Sequence, residues 1–194
     1  MQTLSNAGNS RDSEIPQCEN AQMETISRVE LAWLAGIIDG EGCMNLCWND
    51  KRPQMKADIN VTNTDARIIE RVSRIYHKSN IKFHYTLRKR KRFCLSISIT
   101  GFRSCRKLLG MVTPYLAGKR DQADTMAEYL DYRISIFDST KDQRRAENGH
   151  FIRTPELQYN EKDQQYLKRL QELKNPPIDP QRLQRRASQP LHLG

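Results

Sequence analysis

The sequence predicts an α+β domain of αββαββα type, in which both hairpins join one four-stranded antiparallel sheet. Three observations carry this. Residues 43–62 and 81–100 each alternate apolar and polar side chains at period two about a polar turn. Segments starting near Ser27 and Asn63 combine cap residues with apolar residues at helical spacing. Two more helical stretches, near 102–111 and 119–137, follow the second hairpin.

The elements follow in order. Ser27-Arg-Val-Glu30 has the capping-box form, so a helix should start there and run through Leu31–Ile38. Gly40 and Gly42 should end it through left-handed backbone. Met44, Leu46 and Trp48 then alternate with Asn45, Cys47 and Asn49. After the turn Asp50–Pro53, Met55, Ala57, Ile59 and Val61 alternate with Gln54, Lys56, Asp58, Asn60 and Thr62. Ile68, Ile69, Val72, Ile75 and Tyr76 form the stripe of a second helix. The second hairpin pairs Ile81–Arg88 with Phe93–Thr100 across the basic turn Arg88-Lys-Arg-Lys-Arg92. Residues 138–158 read as an irregular linker, and Asn160–Asp163 can cap a short helix to about Leu173. The expected organisation is a flexible tail at 1–25, one domain at 26–175 and a second tail at 176–194.

Composition narrows the function. The 194 residues hold 32 Lys and Arg against 23 Asp and Glu, for a net charge of +9. Residues 26–137 alone hold 20 basic and 11 acidic side chains, so the excess sits on the folded body. Such an excess points to a polyanionic partner, most often nucleic acid. No membrane partner is expected, since no apolar run reaches the ~18 residues of a span. The first residues lack a basic stretch followed by an apolar core, so no secretory signal is expected. Five cysteines without a CxxC pair disfavour a disulfide scaffold and a cysteine zinc site, and fit an intracellular location. The four histidines are scattered, and no Walker loop or dinucleotide glycine pattern occurs.

With helices on the apolar side, the other sheet face would be open. It would carry Asn45, Cys47, Asn49, Gln54, Lys56, Asp58, Asn60, Lys82, His84, Thr86, Arg88, Ser96 and Ser98. Amides, hydroxyls and bases of this kind pair with base edges in a major groove, which admits a two-stranded ribbon. The plain alternative is a solvated sheet face. Arg88 and Arg90 in the turn argue against it, because they could meet phosphates beside the groove.

Ala32, Gly36 and Gly40 recur every four residues, so they share one face of the first helix. Small side chains let two helices approach closely, and the same strip on a second copy could pack about a two-fold axis. Glu41 would then lie beside its counterpart. Two close carboxylates repel unless cations neutralise them.

Leu34-Ala-Gly-Ile-Ile-Asp-Gly-Glu-Gly42 closely resembles the motif of the LAGLIDADG homing endonucleases. Seven of nine residues match if Glu41 counts for Asp; Ile37 replaces Leu and Gly40 replaces Ala. The element order over 26–137 is similar to that family as well. One copy is present, because Tyr115-Leu-Ala-Gly118 is followed by Lys119 and Arg120 with no acid. The resemblance is therefore to the single-motif homodimeric subgroup. It implies a saddle-like sheet covered by helices on one face and a homodimer through the motif helix, with Ala32, Ala35 and Gly36 in the interface.

The resemblance also implies an activity: metal-dependent cleavage of double-stranded DNA at a long pseudo-palindromic site, leaving short 3′ overhangs and promoting intron mobility. It assigns Glu41 as catalytic acid and metal ligand, the Gly40 carbonyl as co-ligand, and Asn63, Arg67 and Lys119 as partners in catalysis. Asp39 is read as structural. Mg²⁺ is the expected cofactor, and Ca²⁺ should support binding without cleavage. Two alternatives stand beside this: a maturase binding its own intron RNA, and a DNA-binding regulator that does not cut.

Overall fold

The computed structural model describes residues 25–49, 54–89, 93–140 and 157–175. The turns at 50–53 and 90–92, most of the expected linker and nearly all of both expected tails lie outside them. The order is α1 (Arg28–Glu41), β1 (Gly42–Asn49), β2 (Gln54–Asn63), α2 (Ala66–Lys78), β3 (His84–Lys89), β4 (Phe93–Thr100), α3 (Phe102–Val112), a 3-10 turn (Thr113–Tyr115), α4 (Arg120–Ser139) and α5 (Glu161–Lys174). The sheet runs β1-β2-β4-β3, antiparallel throughout. The α+β class and the four-stranded sheet are as the sequence predicts.

The capping box of α1 forms. Ser27 Oγ accepts from the Glu30 N–H (3.1 Å), and Glu30 Oε2 accepts from the Ser27 N–H (2.9 Å). Glu30 also meets Lys78 at the end of α2 (3.1 Å). The other end of α1 differs from expectation. Gly42 has φ −80 and ψ 153, which is ordinary extended backbone. Its need for glycine is steric, since a Cβ there would lie 2.6 Å from the Ile38 carbonyl oxygen. The chain thus passes straight from helix to strand, with no left-handed residue between.

The core lies between the sheet and the helices. Met44, Leu46, Ile59, Val61, Ile97 and Ile99 point into it from the strands. Leu34 and Ile38 of α1, Ile69, Val72 and Tyr76 of α2, Leu108 of α3, and Met126 and Leu130 of α4 close it. The second hairpin departs from the predicted pattern. β3 starts at His84, and Ile81 is buried before it. The alternation then continues, but Tyr85 (50%), Leu87 (67%) and Phe93 (59%) stay exposed. Helix α2 packs against β2 and β4, leaving β3 at the margin of the covered area.

The C-terminal segment is tied down by charge inside the fold. Arg133 of α4 is fully buried and lies 3.6 Å from Asp163 of α5, also fully buried. Arg133 donates to the Leu157 carbonyl (3.0 Å) and stacks over Tyr159 at 4.2 Å. Tyr129 donates to Asp163 Oδ1 (3.1 Å), while Asp163 Oδ2 accepts from the Asn160 N–H (2.8 Å) in the α5 capping box. Among the described residues, no helix is long and apolar enough to cross a membrane.

Candidate active site and nucleic-acid interface

Glu41 ends α1 and is exposed. Among the described residues, nothing donates a hydrogen bond to its carboxylate or pairs with it as a salt bridge. Asp39, two residues earlier, is fully engaged. Its Oδ2 accepts from the N–H groups of Ala117 (2.7 Å) and Gly118 (3.2 Å), and its Oδ1 from that of Lys119 (2.8 Å). The Lys119 ammonium reaches back to α1. It donates to the carbonyls of Ile38 (2.9 Å), Asp39 (2.7 Å) and Gly42 (2.7 Å). Of these, the Asp39 carbonyl lies in the last turn of α1, and the ammonium sits as a cation at the negative end of the helix dipole. The Gly40 carbonyl is not among the three. Asp39 and Lys119 thus lock α1 to the start of α4 and hold a cation beside Glu41.

The two locked groups titrate unusually. Burial works against the Asp39 charge, but the three backbone N–H groups outweigh it and hold the carboxyl below its ordinary value. Burial pulls the Lys119 ammonium below the ordinary lysine value, against the opposing pull of Asp39, Cys43 and Glu41. For Asp39 the folded state favours the ionised form. Its stabilisation is present above the unfolded value, near ~4, and is lost as pH falls through the lower folded value. Asp39→Asn should therefore lose less stability than wild type in thermal melts taken from about pH 6 to pH 2. Parallel acid limbs would reject the clamp.

Glu41 and Asn63 line one small cleft with Thr62, Thr64 and Cys94. Asn63 is the last residue of β2, not a helical position. Its Oδ1 accepts from the Asp65 N–H (2.8 Å), and Asp65 is the cap of α2. Asn63 and Arg67, four residues apart in sequence, therefore do not share a helix face. The Arg67 side chain is 88% exposed and grips both oxygens of Asp65, at 3.0 and 2.7 Å. It does not line the cleft. Thr62, Thr64 and Cys94 were not singled out from sequence. Thr62 and Cys94 have the strand parity that could have found them; Thr64 has no such signal.

The polar sheet face forms in register. Cys43, Asn60, Ser98 and His84 line up across all four strands. Asn45 stands opposite Asp58 and Cys47 opposite Lys56, while Thr86 is exposed on the outer strand. Gln54 pairs with Asn49 at the end of the first hairpin, and Arg88 pairs with Cys94 in the second. Lys56, Asp58, Asn60, His84, Thr86 and Ser98 line one open trough. Two expected contacts are corrected. Ser96 has the right parity but is fully buried, and its hydroxyl accepts from Thr62 (2.9 Å). Lys82 lies before β3, outside the sheet. Arg90 falls outside the described residues.

The small-residue strip is placed as expected at three positions. Ala32, Gly36 and Gly40 are exposed, and a Cβ at either glycine would meet nothing within 4 Å. Ala35 is corrected. It is fully buried against the core, because it lies one residue off the outward strip. Among the described residues, no three His, Cys, Asp or Glu side chains gather to hold a metal. Glu41 and the Gly40 carbonyl are hard oxygen donors of the kind Mg²⁺ takes, and Mg²⁺ ordinarily completes its octahedron with water and phosphate oxygens.

No known family model matches the chain, and no curated protein does. Among solved structures, the chain is similar to the homing endonuclease I-CvuI in complex with its target. The identity is 19%, covering 74% of this chain and 95% of that one, with a TM-score of 0.44. It is similar to the archaeal intron-encoded homing endonuclease I-Vdi141I complexed with DNA, at 11% identity, 75% and 97% coverage and a TM-score of 0.45. It is also similar to the homing endonuclease I-TnaI, at 13% identity, 80% and 93% coverage and a TM-score of 0.46.

Proposed function

We propose that this chain is a homodimeric DNA endonuclease of the LAGLIDADG type, with residues 26–175 as its working domain. The observation that carries the reading is Glu41. It is an exposed carboxylate, with no hydrogen-bond or salt-bridge partner among the described residues, at the end of a helix whose outward strip is Ala32, Gly36 and Gly40. Among the described residues, no hydrogen bond or salt bridge ties that carboxylate to the rest of the chain. Pairing the strip with a second copy would bring two Glu41 carboxylates together, the one or two carboxylates by which Mg²⁺ is usually held.

Glu41 and the Gly40 carbonyl would hold Mg²⁺, shared with or mirrored by the second copy. When bound, the metal supplies a water of lowered pKa and stabilises the leaving oxygen of the phosphodiester. The chain's own groups do the rest. Lys119 keeps positive charge next to the scissile position and fixes the end of α1 that bears Glu41. Asn63 lines the same cleft, with its oxygen accepting from the Asp65 N–H; among the described residues nothing accepts from its amide nitrogen, which could meet water or phosphate. Arg67 is held by Asp65 and would meet backbone phosphate from the rim.

Each polar sheet face would lie along the major groove of one half-site, about 10 bp long. The reading includes short 3′ overhangs, binding without cleavage in Ca²⁺ and a role in intron mobility. Selection from a library of two-fold-symmetric DNA sites tests it, with capture in Ca²⁺ and release by cleavage in Mg²⁺. Symmetric sites cut by the protein are expected. Enrichment without cutting would favour a regulator, and no DNA enrichment would favour RNA. Gly36→Leu is expected to shift sedimentation from dimer to monomer, because the leucine would hold the two strips apart. An unchanged profile would reject the interface.

A further inference from the structure

The sequence draws no attention to Lys174, the last residue of α5. In the fold its ammonium donates to Asn45 Oδ1 (2.6 Å) and to Cys43 Sγ (3.6 Å), on the outer strand β1. Asn45 Nδ2 in turn donates to Asp58 Oδ2 (3.0 Å) on β2. Asn60 Nδ2 donates to that same oxygen (3.0 Å). The result is a continuous row, Lys174–Asn45–Asp58–Asn60, across two strands of the polar face.

An amide has an accepting end and a donating end, and which way it points decides what it can read. Here a cation sits at the oxygen of Asn45 and a carboxylate at its nitrogen. Turning the amide over would set its NH₂ against an ammonium and its carbonyl against a carboxylate. Both contacts would be repulsive. Lys174 therefore holds Asn45 in one sense. Asp58 then receives two amide donors on Oδ2. Its Oδ1 and the Asn60 oxygen accept nothing from the described protein, and both residues line the trough.

We propose that Lys174 is a positioning residue for DNA sequence readout: it sets the polarity of the Asn45–Asp58–Asn60 row, which presents acceptor oxygens to an amino-bearing base, cytosine above all. The proposal rests on the DNA-binding reading above. Its chemistry is that of a carboxylate accepting from cytosine N4 in the major groove. It makes α5 part of the recognition surface, delivered there by the buried Arg133–Asp163 pair.

The test is binding selection in Ca²⁺ on randomised symmetric sites, using the full chain. Wild type is compared with Lys174→Met, Lys174→Arg, Asn45→Ala and the Lys174→Met/Asn45→Ala double variant. Wild type should prefer cytosine at one base pair in each half-site. Lys174→Met should weaken that preference about fivefold or more while other positions keep theirs. Lys174→Arg should retain most of it, because the guanidinium still donates. Asn45→Ala should lose the same position, and the double variant should lose little beyond it, since coupled residues are not additive. Melting temperatures would show that the variants are folded. Equal weakening on all sequences would overturn the proposal and make Lys174 a phosphate contact. Unchanged preferences would also overturn it while leaving the DNA-binding reading intact. Failure of wild type to enrich any site would remove both.

Discussion

Glu41→Gln is expected to abolish DNA cleavage while leaving binding within about tenfold, ~1.4 kcal/mol. The substitution keeps the size of the side chain and removes its charge. Among the described residues, no group bonds to the carboxylate, and its charge acts on the fold only through the nearby Lys119 ammonium. Melting should therefore stay close to wild type, and dimerisation should be no weaker, because two adjacent carboxylates no longer repel. What is lost is the negative oxygen that would hold a divalent cation. Metal-held charge stabilisation is worth several kcal/mol, so turnover should fall by ~10³-fold or more. Quantitative cleavage of a selected site by both proteins, over a Mg²⁺ series, is the measurement. Cutting by Glu41→Gln at the wild-type rate would remove Glu41 from the chemistry. Loss of both cutting and binding would make it a DNA contact instead.

Asp163→Ala is expected to cost about 3–5 kcal/mol of stability, the cost of leaving one charge of a buried pair alone. Arg133 and Asp163 are each 1% exposed at the side chain, so water cannot replace the missing partner. The same change removes the acceptor of the Tyr129 hydroxyl and the reciprocal bond of the α5 capping box. Urea titration should show the loss, with a melting temperature lower by roughly 10 °C. Adding Arg133→Leu should recover part of it, because removing both charges leaves no unpaired ion. A loss below about 1 kcal/mol would mean that the pair is solvated in solution. Detachment of α5 would also withdraw Lys174 from Asn45, so stability and sequence readout are linked through this pair.

The elements of the domain were legible because each one is written locally. Ser27 and Glu30 are three residues apart and form their capping box. The period-two alternation of 43–62 maps onto a buried face and a polar face without a slip in register. Glu41 stood out through its own segment, since the residues around it at 34–42 carry both the motif and the small-residue strip. Where local reading failed, a neighbour distant in sequence was responsible. Ser96 has the parity of the polar face, yet it is buried against Thr62. Tyr85 and Leu87 have the parity of the core face, yet they stay exposed at the margin of the sheet. Asn63 and Arg67 have helical spacing, yet Asp65 begins the helix between them.

By itself the sequence determined the secondary elements, the parity that separates core from polar face, and the position of the exposed acid on the first helix. All of these depend on spacings of two to four residues, which the backbone geometry converts directly into faces. Only the tertiary structure decided how those parts are held and aimed. Asp39 is gripped by N–H groups some 80 positions away, and Asn45 is oriented by Lys174 across 129 positions. Arg133 meets Asp163 inside a core that neither residue type signals. Such contacts are made by polar groups whose partners have no fixed spacing along the chain. Hydrophobic burial sets the frame first, and it alone brings these groups within bonding distance.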